Sequence, residues 1–182
     1  MNIIIAGIQG SGKGTQSKLL ADHFGLVHIS FGDVIKWMLK EKPEIVAPYS
    51  IEKYNNGELA PDEVLFKVAN YVIDPILEAS DKYNGFILDG FPRTEGQMKF
   101  VLDSYDIDKC ILLELEESIA IDRMLLRGRS DDTPDGIKRR IKNYRLKTEP
   151  TFKVLENDGK LIKLDANKSV FELNIELINE LT

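Results

Sequence analysis

Apolar residues in this chain fall into short unbroken runs separated by stretches of helical period. Residues 2–6 are dominated by isoleucine, as in a strand buried on both faces. A glycine-rich stretch follows, and then Leu19, Leu20 and Phe24 recur on one side of a helix. Further strands are expected at 27–29, 85–88, 110–115 and 160–164. Apolar pairs at 64/65, 68/69, 72/73 and 76/77 predict a helix over 62–79. Pro61 suits its first position, and Pro75 is expected to kink or break it. Strands separated by helices imply an α/β fold with a parallel sheet and helices on both faces. There is no internal repeat, and the loop-like cluster of Gly, Asp and Pro runs from 128 to 136.

The 182 residues, 43% hydrophobic and 30% charged, fit a single soluble domain, 1–182. The run Ile3-Ile4-Ile5-Ala6 is too short to span a membrane or serve as a signal-peptide core. Cys110, the single cysteine, cannot form an internal disulfide or a zinc site, and a cytoplasmic, reducing compartment is expected. It is read as a core strand residue. A net charge of −6 argues against a nucleic-acid coat. Yet residues 123–147 hold nine Lys and Arg, six of them Arg, against Asp131, Asp132 and Asp135. A solvated helix face explains such a run unless a phosphate site lies elsewhere. Arg grips phosphate with a planar fork.

Such a site is expected at Gly7-Ile8-Gln9-Gly10-Ser11-Gly12-Lys13-Gly14-Thr15. Strand, glycine-rich loop, lysine and helix make a P-loop, which turns backbone N–H groups toward an anion. Lys13 would reach the β- and γ-phosphates. Gly14 stands where Ser or Thr is usual, and the hydroxyl comes one residue later, at Thr15. Asp89 ends a strand beside this loop, where Mg²⁺ is usually held directly or through water. Arg93 follows over the same edge. Ser30 and Asp33 have capping-box spacing, as do Thr94 and Gln97.

The segments GxxGxGKGTQ (7–16), HIS-x-GD (28–33), GEL-x-PDE (57–63), GF-x-LDGFPRT-x-x-Q (85–97) and DR-x-x-x-R-x-R-x-DD (122–132), with a later Arg140, occur in that order. Together they resemble adenylate kinase, within the nucleoside monophosphate (NMP) kinases, over nearly the whole chain. The resemblance implies a three-layer P-loop fold with a central five-stranded parallel sheet, an NMP-binding flap at 30–60 and a short lid at 128–137. It implies the reaction MgATP + AMP ⇌ 2 ADP in a monomer, with no nucleic acid or membrane partner.

By that resemblance Gly10, Ser11, Gly12, Lys13, Gly14 and Thr15 cradle the ATP phosphates. Arg123 stacks on the ATP base, Arg127 binds phosphate, and Lys168 lies near the base. Arg129 and Arg140 close on the phosphates, held by the hinge acids Asp131 and Asp132. Arg123 and Arg127, four apart on a helix, repel slightly unless an anion lies between them. The acceptor site implied is Phe31, Lys36, Glu58, Leu59, Ala60, Gly90, Phe91, Pro92, Arg93 and Gln97, with Arg129 and Arg140. Gln97 would read the adenine edge, and Lys36 with Arg93 would hold the acceptor α-phosphate.

Three positions depart from the family pattern: Phe31 for Thr, Lys36 for Arg, and Gln9 for a common Pro. The first two bear on acceptor selectivity and leave UMP, CMP or another NMP as the alternative acceptor. A non-catalytic nucleotide-binding protein is a further alternative, against which the second phosphate site argues. The lid region has no Cys, so the zinc-bearing long lid of some relatives is not expected. His23 and His28 read as structural, and Trp37 as packing.

Overall fold

In the computed structural model, which describes residues 1–79, 81–129 and 132–182 (backbone only at 157), the isoleucine run is the centre of a sheet. β1 (Asn2–Gly7) lies between β3 (Phe86–Asp89) and β4 (Lys109–Glu114), with β2 (Val27–Ser30) and β5 (Leu161–Asp165) at the edges. All five strands are parallel, in the order β2-β3-β1-β4-β5. Ile4 pairs with Leu88 on one side and Cys110 on the other. Alternate residues of β1 enter different cores. Ile3 and Ile5 join Ile87, Ile111 and Leu113, whereas Ile4 and Ala6 join Leu88, Cys110 and Leu112. A strand covered on both faces has no polar side, which is why its sequence does not alternate.

Helices follow each strand. α1 (Lys13–Phe24) leaves β1. α2 (Phe31–Glu41), α3 (Pro43–Val46) and α4 (Ile51–Asn55) precede α5 (Asp62–Glu78). α6 (Glu95–Ser104) links β3 to β4. α7 (Glu117–Arg127) and α8 (Pro134–Asn143) come next, then a π-helical turn at Tyr144–Thr148, a 3₁₀ turn at Glu149–Phe152 and α9 (Lys153–Asn157). α10 (Val170–Leu181) closes the chain. Leu20, Met124, Ile141 and Leu177 place α1, α7, α8 and α10 on the face of Ile3 and Ile5. Met38, Val46, Val68, Val101 and Leu155 place α2, α3, α5, α6 and α9 on the other. This is the expected three-layer α/β fold. Because the strands are parallel, their C-terminal ends share one edge, where the P-loop, Phe31, Gly90 and Ala166 all emerge.

Three local expectations are corrected. Of the expected kink or break at Pro75, the break does not occur: α5 continues to Glu78. The proline lies in its last turn and deprives only the Tyr71 carbonyl, on a residue exposed enough for water to serve it. Pro61 is the N-cap of α5 rather than its first helical residue, and Asp62 and Glu63 occupy the first turn, where acids favour the helix dipole. Ser30 stands at the N-cap of α2 but makes no side-chain cap bond, so no capping box forms there.

Candidate active site

A cavity of about 870 Å³ opens along the C-terminal edge of the sheet. Its floor is the P-loop. Gly10 fits against α7: it has φ +92°, and a Cβ there would come within 2.7 Å of the Ala120 carbonyl. Ser11 N–H donates to the Ile8 carbonyl, and Thr15 and Gln16 N–H donate to that of Gly12. Those bonds occupy Thr15 and Gln16, whereas the N–H groups of Gly12, Lys13 and Gly14 make no backbone bond and line the cavity as an anion cradle. Gln9 Oε1 and Ser11 Oγ are buried here without a protein partner. Lys13 folds back, donating from Nζ to the carbonyls of Gly7 at 2.8 Å and Ile8 at 2.9 Å. Burial brings its pKa down to about 8; Asp89 opposes the shift, and Arg93 and Arg127 add to it.

One end of the cavity is walled by α1, α7 and the turn before α10. Arg123, Ala166, Lys168, Ser169 and Val170 line it. Arg123 Nη1 donates to the Ala166 carbonyl at 3.1 Å. Buried Gln16 ties the two helices, donating to the Val170 carbonyl at 2.9 Å and accepting from Asn174 at 3.1 Å. The other end is walled by Phe31, Ile35, Tyr49, Tyr54, Ala60 and Leu65, with Glu58 and Leu59 beside them. Phe31 stacks on Phe91, ring centroids 4.3 Å apart, which covers one face of its ring. Tyr49 hydroxyl donates to the Glu58 carbonyl at 2.6 Å and Tyr54 hydroxyl to that of Gly32 at 3.2 Å.

Between the ends stand Asp89, Gly90 and Arg93 from β3 and its loop, with Arg127, Arg129 and Arg140 opposite. Arg93 is held at three points. Its Nε donates to the Gly90 carbonyl at 2.6 Å, its N–H to Gln97 Oε1 at 2.7 Å, and its carbonyl accepts from Thr148 Oγ1 at 3.0 Å. Asp132 clamps the arginines. Its carboxylate accepts Arg127 Nε and Nη2 at 3.0 and 2.9 Å and Arg140 Nη2 at 2.7 Å. Burial would raise its pKa, but the bonds to Arg127 and Arg140 outweigh this and hold it below the usual carboxylate range. Asp131, expected beside it, lies outside the described residues. The wall carries Lys13, Lys18, Lys168 and five Arg against Asp33, Glu58 and Asp89. In a chain of net charge −6, that concentrates a positive field where polyanions would sit.

Asp89 faces His28, whose Nε2 lies 3.4 Å from Oδ2. The contact is a close electrostatic pairing rather than an aligned hydrogen bond. Burial pushes the Asp89 carboxyl up, yet the contact with His28 and the charges of Lys13 and Arg93 prevail and keep it ionised. A Cβ on Gly14 would lie 3.3 Å from Asp89 Oδ2, so the missing side chain leaves the carboxylate open to the loop. An ionised oxygen donor beside a phosphate cradle fits Mg²⁺ that brings its own water and phosphate ligands. Among the described residues no group of three or more His, Cys, Asp or Glu could hold a metal without such help.

Four expected site residues are not on the cavity wall. Lys36 is exposed: the turn of α2 that directs Ile35 inward carries Lys36 about 100° away. Gln97 is 0% exposed, and its Nε2 donates to Asp62 Oδ1 at 2.7 Å while its Oε1 accepts Arg93 N–H. Thr94 caps α6 by accepting Gln97 N–H, and its hydroxyl also bonds Asp62. Phe91 and Pro92 line a small cavity of about 40 Å³ behind the loop, shared with Gln9, Lys13 and Arg93. Sequence reasoning missed His28, Tyr49, Tyr54 and Thr148. His28 falls within the HIS-x-GD segment but reads there as structural, and no motif marks the other three, whose partners lie 9 to 55 residues away in the sequence. Trp37, read as packing, is 47% exposed.

A phosphate cradle and a second arginine-lined site share one cavity at the C-terminal edge of a parallel sheet, which defines the class as a P-loop α/β protein. The adenylate kinase family model matches residues 5–160. The chain is 34% identical to an adenylate kinase of Bifidobacterium longum over 100% of both chains. It is 37% identical to an adenylate kinase of Parabacteroides distasonis over 95% of this chain and 93% of the relative. It is also 31% identical to a UMP-CMP kinase of Sus scrofa, over 97% and 94% respectively. The chain belongs to the adenylate kinase family and is a phosphotransferase of that family.

Proposed function

We propose that the protein transfers the γ-phosphoryl group of MgATP to AMP, giving two ADP. The observation that carries this is the single cavity with Lys13 and the loop N–H groups at one side and Arg93 at the other, bridged by Arg127, Arg129 and Arg140. ATP would lie along the Arg123 and Lys168 end, and AMP under Phe31, Tyr54 and Leu59. Mg²⁺ arriving with ATP would be held by Asp89 through water, with the Thr15 hydroxyl nearby, and would neutralise phosphate charge. The acceptor phosphate is itself an anionic nucleophile, so no general base is required of the chain. Its residues bring two polyanions in line and neutralise their charge. Phe31, Leu65 and Tyr49 exclude water from the acceptor side, which protects the phosphoryl group from hydrolysis. Release of ADP from both ends would require residues 30–60 and 128–137 to open as flap and lid. We further infer a cytoplasmic monomer, from the short-lid relatives and the one buried cysteine.

UMP or CMP as acceptor is the second reading. It is favoured by the relative named UMP-CMP kinase and by Gln97, whose amide must leave Asp62 or Arg93 before it can read an adenine edge. A coupled ADP-release assay with AMP, CMP, UMP and GMP separates the two. Highest kcat/KM with AMP is expected, and a higher value for a pyrimidine would overturn the assignment. No turnover with any of them, despite ATP binding, would leave a nucleotide-binding protein.

A further inference from the structure

The tip of the segment between β2 and α5 rests on α8. Arg139 Nη1 donates to the Asn56 carbonyl at 2.7 Å, and Asn143 Nδ2 reaches the Gly57 carbonyl at 3.4 Å. Arg139 and Asn143 are four apart, so they lie on one face of the helix. Gly57 fits between them with φ +71°. A Cβ there would stand 3.3 Å from Arg140 Cγ and 3.5 Å from the Gly136 carbonyl. On the cavity side the next residue is tied by Tyr49 to the Glu58 carbonyl at 2.6 Å. Asn55, Asn56 and Glu58 are exposed, so polar contacts to backbone carbonyls, not apolar burial, hold the tip.

Arg140 makes this contact consequential. Its stem lies against Gly57 while its Nη2 reaches Asp132, and the same carboxylate holds Arg127. An unbroken line of contacts thus runs from the tip to two arginines of the cavity wall.

We propose that Arg139 and Asn143 are positioning residues that latch the tip of the acceptor flap onto α8, so that shutting the flap and setting Arg140 and Arg127 against the phosphates occur together. The proposal rests on the kinase reading for its consequence, and on the geometry alone for the latch. One exposed hydrogen bond and one long, part-buried one are weak enough to break in every turnover, as a flap that must release product requires. They also bind carbonyls, so the latch does not depend on the side chains of the tip.

The test compares wild type with Arg139→Ala/Asn143→Ala, and with Lys138→Ala as a charge control on the same helix. The double variant should raise KM for the accepted nucleoside monophosphate roughly fivefold to tenfold, the loss of one or two modest hydrogen bonds. KM for ATP should stay within about twofold, as should both constants in Lys138→Ala. Backbone amides of residues 51–58 should exchange faster in the double variant by a similar factor. Arg139→Lys/Asn143 wild type should recover most of the acceptor KM, because an ammonium can serve the same carbonyl. Wild-type acceptor KM together with wild-type amide protection would overturn the latch, and so would an equal rise in both KM values. If the wild type phosphorylates no nucleoside monophosphate, the kinase reading fails, and the exchange comparison alone decides the latch.

Discussion

Raising the pH from 7 to 9 should weaken ATP binding about tenfold, through Lys13 alone. The ammonium sits among the Gly7 and Ile8 carbonyls, and burial, aided by Arg93 and Arg127 and opposed by Asp89, brings its pKa down to about 8. Phosphate needs the charged form and raises its pKa once bound. Affinity should therefore be level below pH 8 and fall by up to tenfold per unit above it. At pH 9 the loss is about 1.4 kcal/mol. Lys13 borders an open cavity, so water moderates the effect of burial and tenfold is the upper end. The check is calorimetric titration with ATP at pH 7, 8 and 9 at fixed ionic strength. Lys13→Arg, charged throughout, should bind with no such slope. A level wild-type affinity, or the same slope in Lys13→Arg, would refute the reasoning. The free protein should show the converse linkage. A lysine whose folded pKa lies below its unfolded value costs stability below pH 8, and the cost is relieved as pH rises from about 8 toward 10.5. Lys13→Ala should cut kcat by orders of magnitude without unfolding the chain.

Asp132→Asn should lower stability by about 1–3 kcal/mol, since two arginines lose a shared carboxylate. The folded pKa of Asp132 is held down, so its contribution is present above the ordinary value near ~4 and lost as pH falls through the folded value. Melts of wild type and variant should differ at pH 7 and draw together as the pH falls below the ordinary carboxylate range; a difference that does not shrink on acidification would contradict the linkage. Thr148→Val removes the donor to the Arg93 carbonyl and should lower kcat/KM for the acceptor by roughly fivefold, about 1 kcal/mol, while Thr148→Ser retains activity. A shifted Tm with unchanged kinetics would make Thr148 a packing residue only. Lys36→Ala should leave the acceptor KM within about twofold, because Lys36 is exposed and off the cavity wall. A tenfold rise would instead show that α2 turns inward on binding.

The sheet was legible in the sequence because its signals are local. Ile3-Ile4-Ile5 has no polar side, and a strand without one must be covered twice. The loop at 7–15 and the run of arginines at 123–140 likewise announced anion chemistry through residue type and spacing, and 18 of the expected site residues line the cavity. Lys36 and Gln97 show where such reasoning stops. Their spacing in sequence matches a binding role, but the rotation of α2 and the carboxylate of Asp62 determine what each side chain meets. His28 against Asp89, Thr148 on Arg93 and Arg139 on Asn56 join residues 55 to 83 positions apart. The chain by itself determined which elements form and what kind of ligand they suit, since both depend on neighbours within a turn or a strand. Which groups are clamped, which stay open to the cavity and which join Asn56 and Gly57 to α8 were decided only by packing, because burial and pairing are properties of surfaces that meet only after the chain has folded.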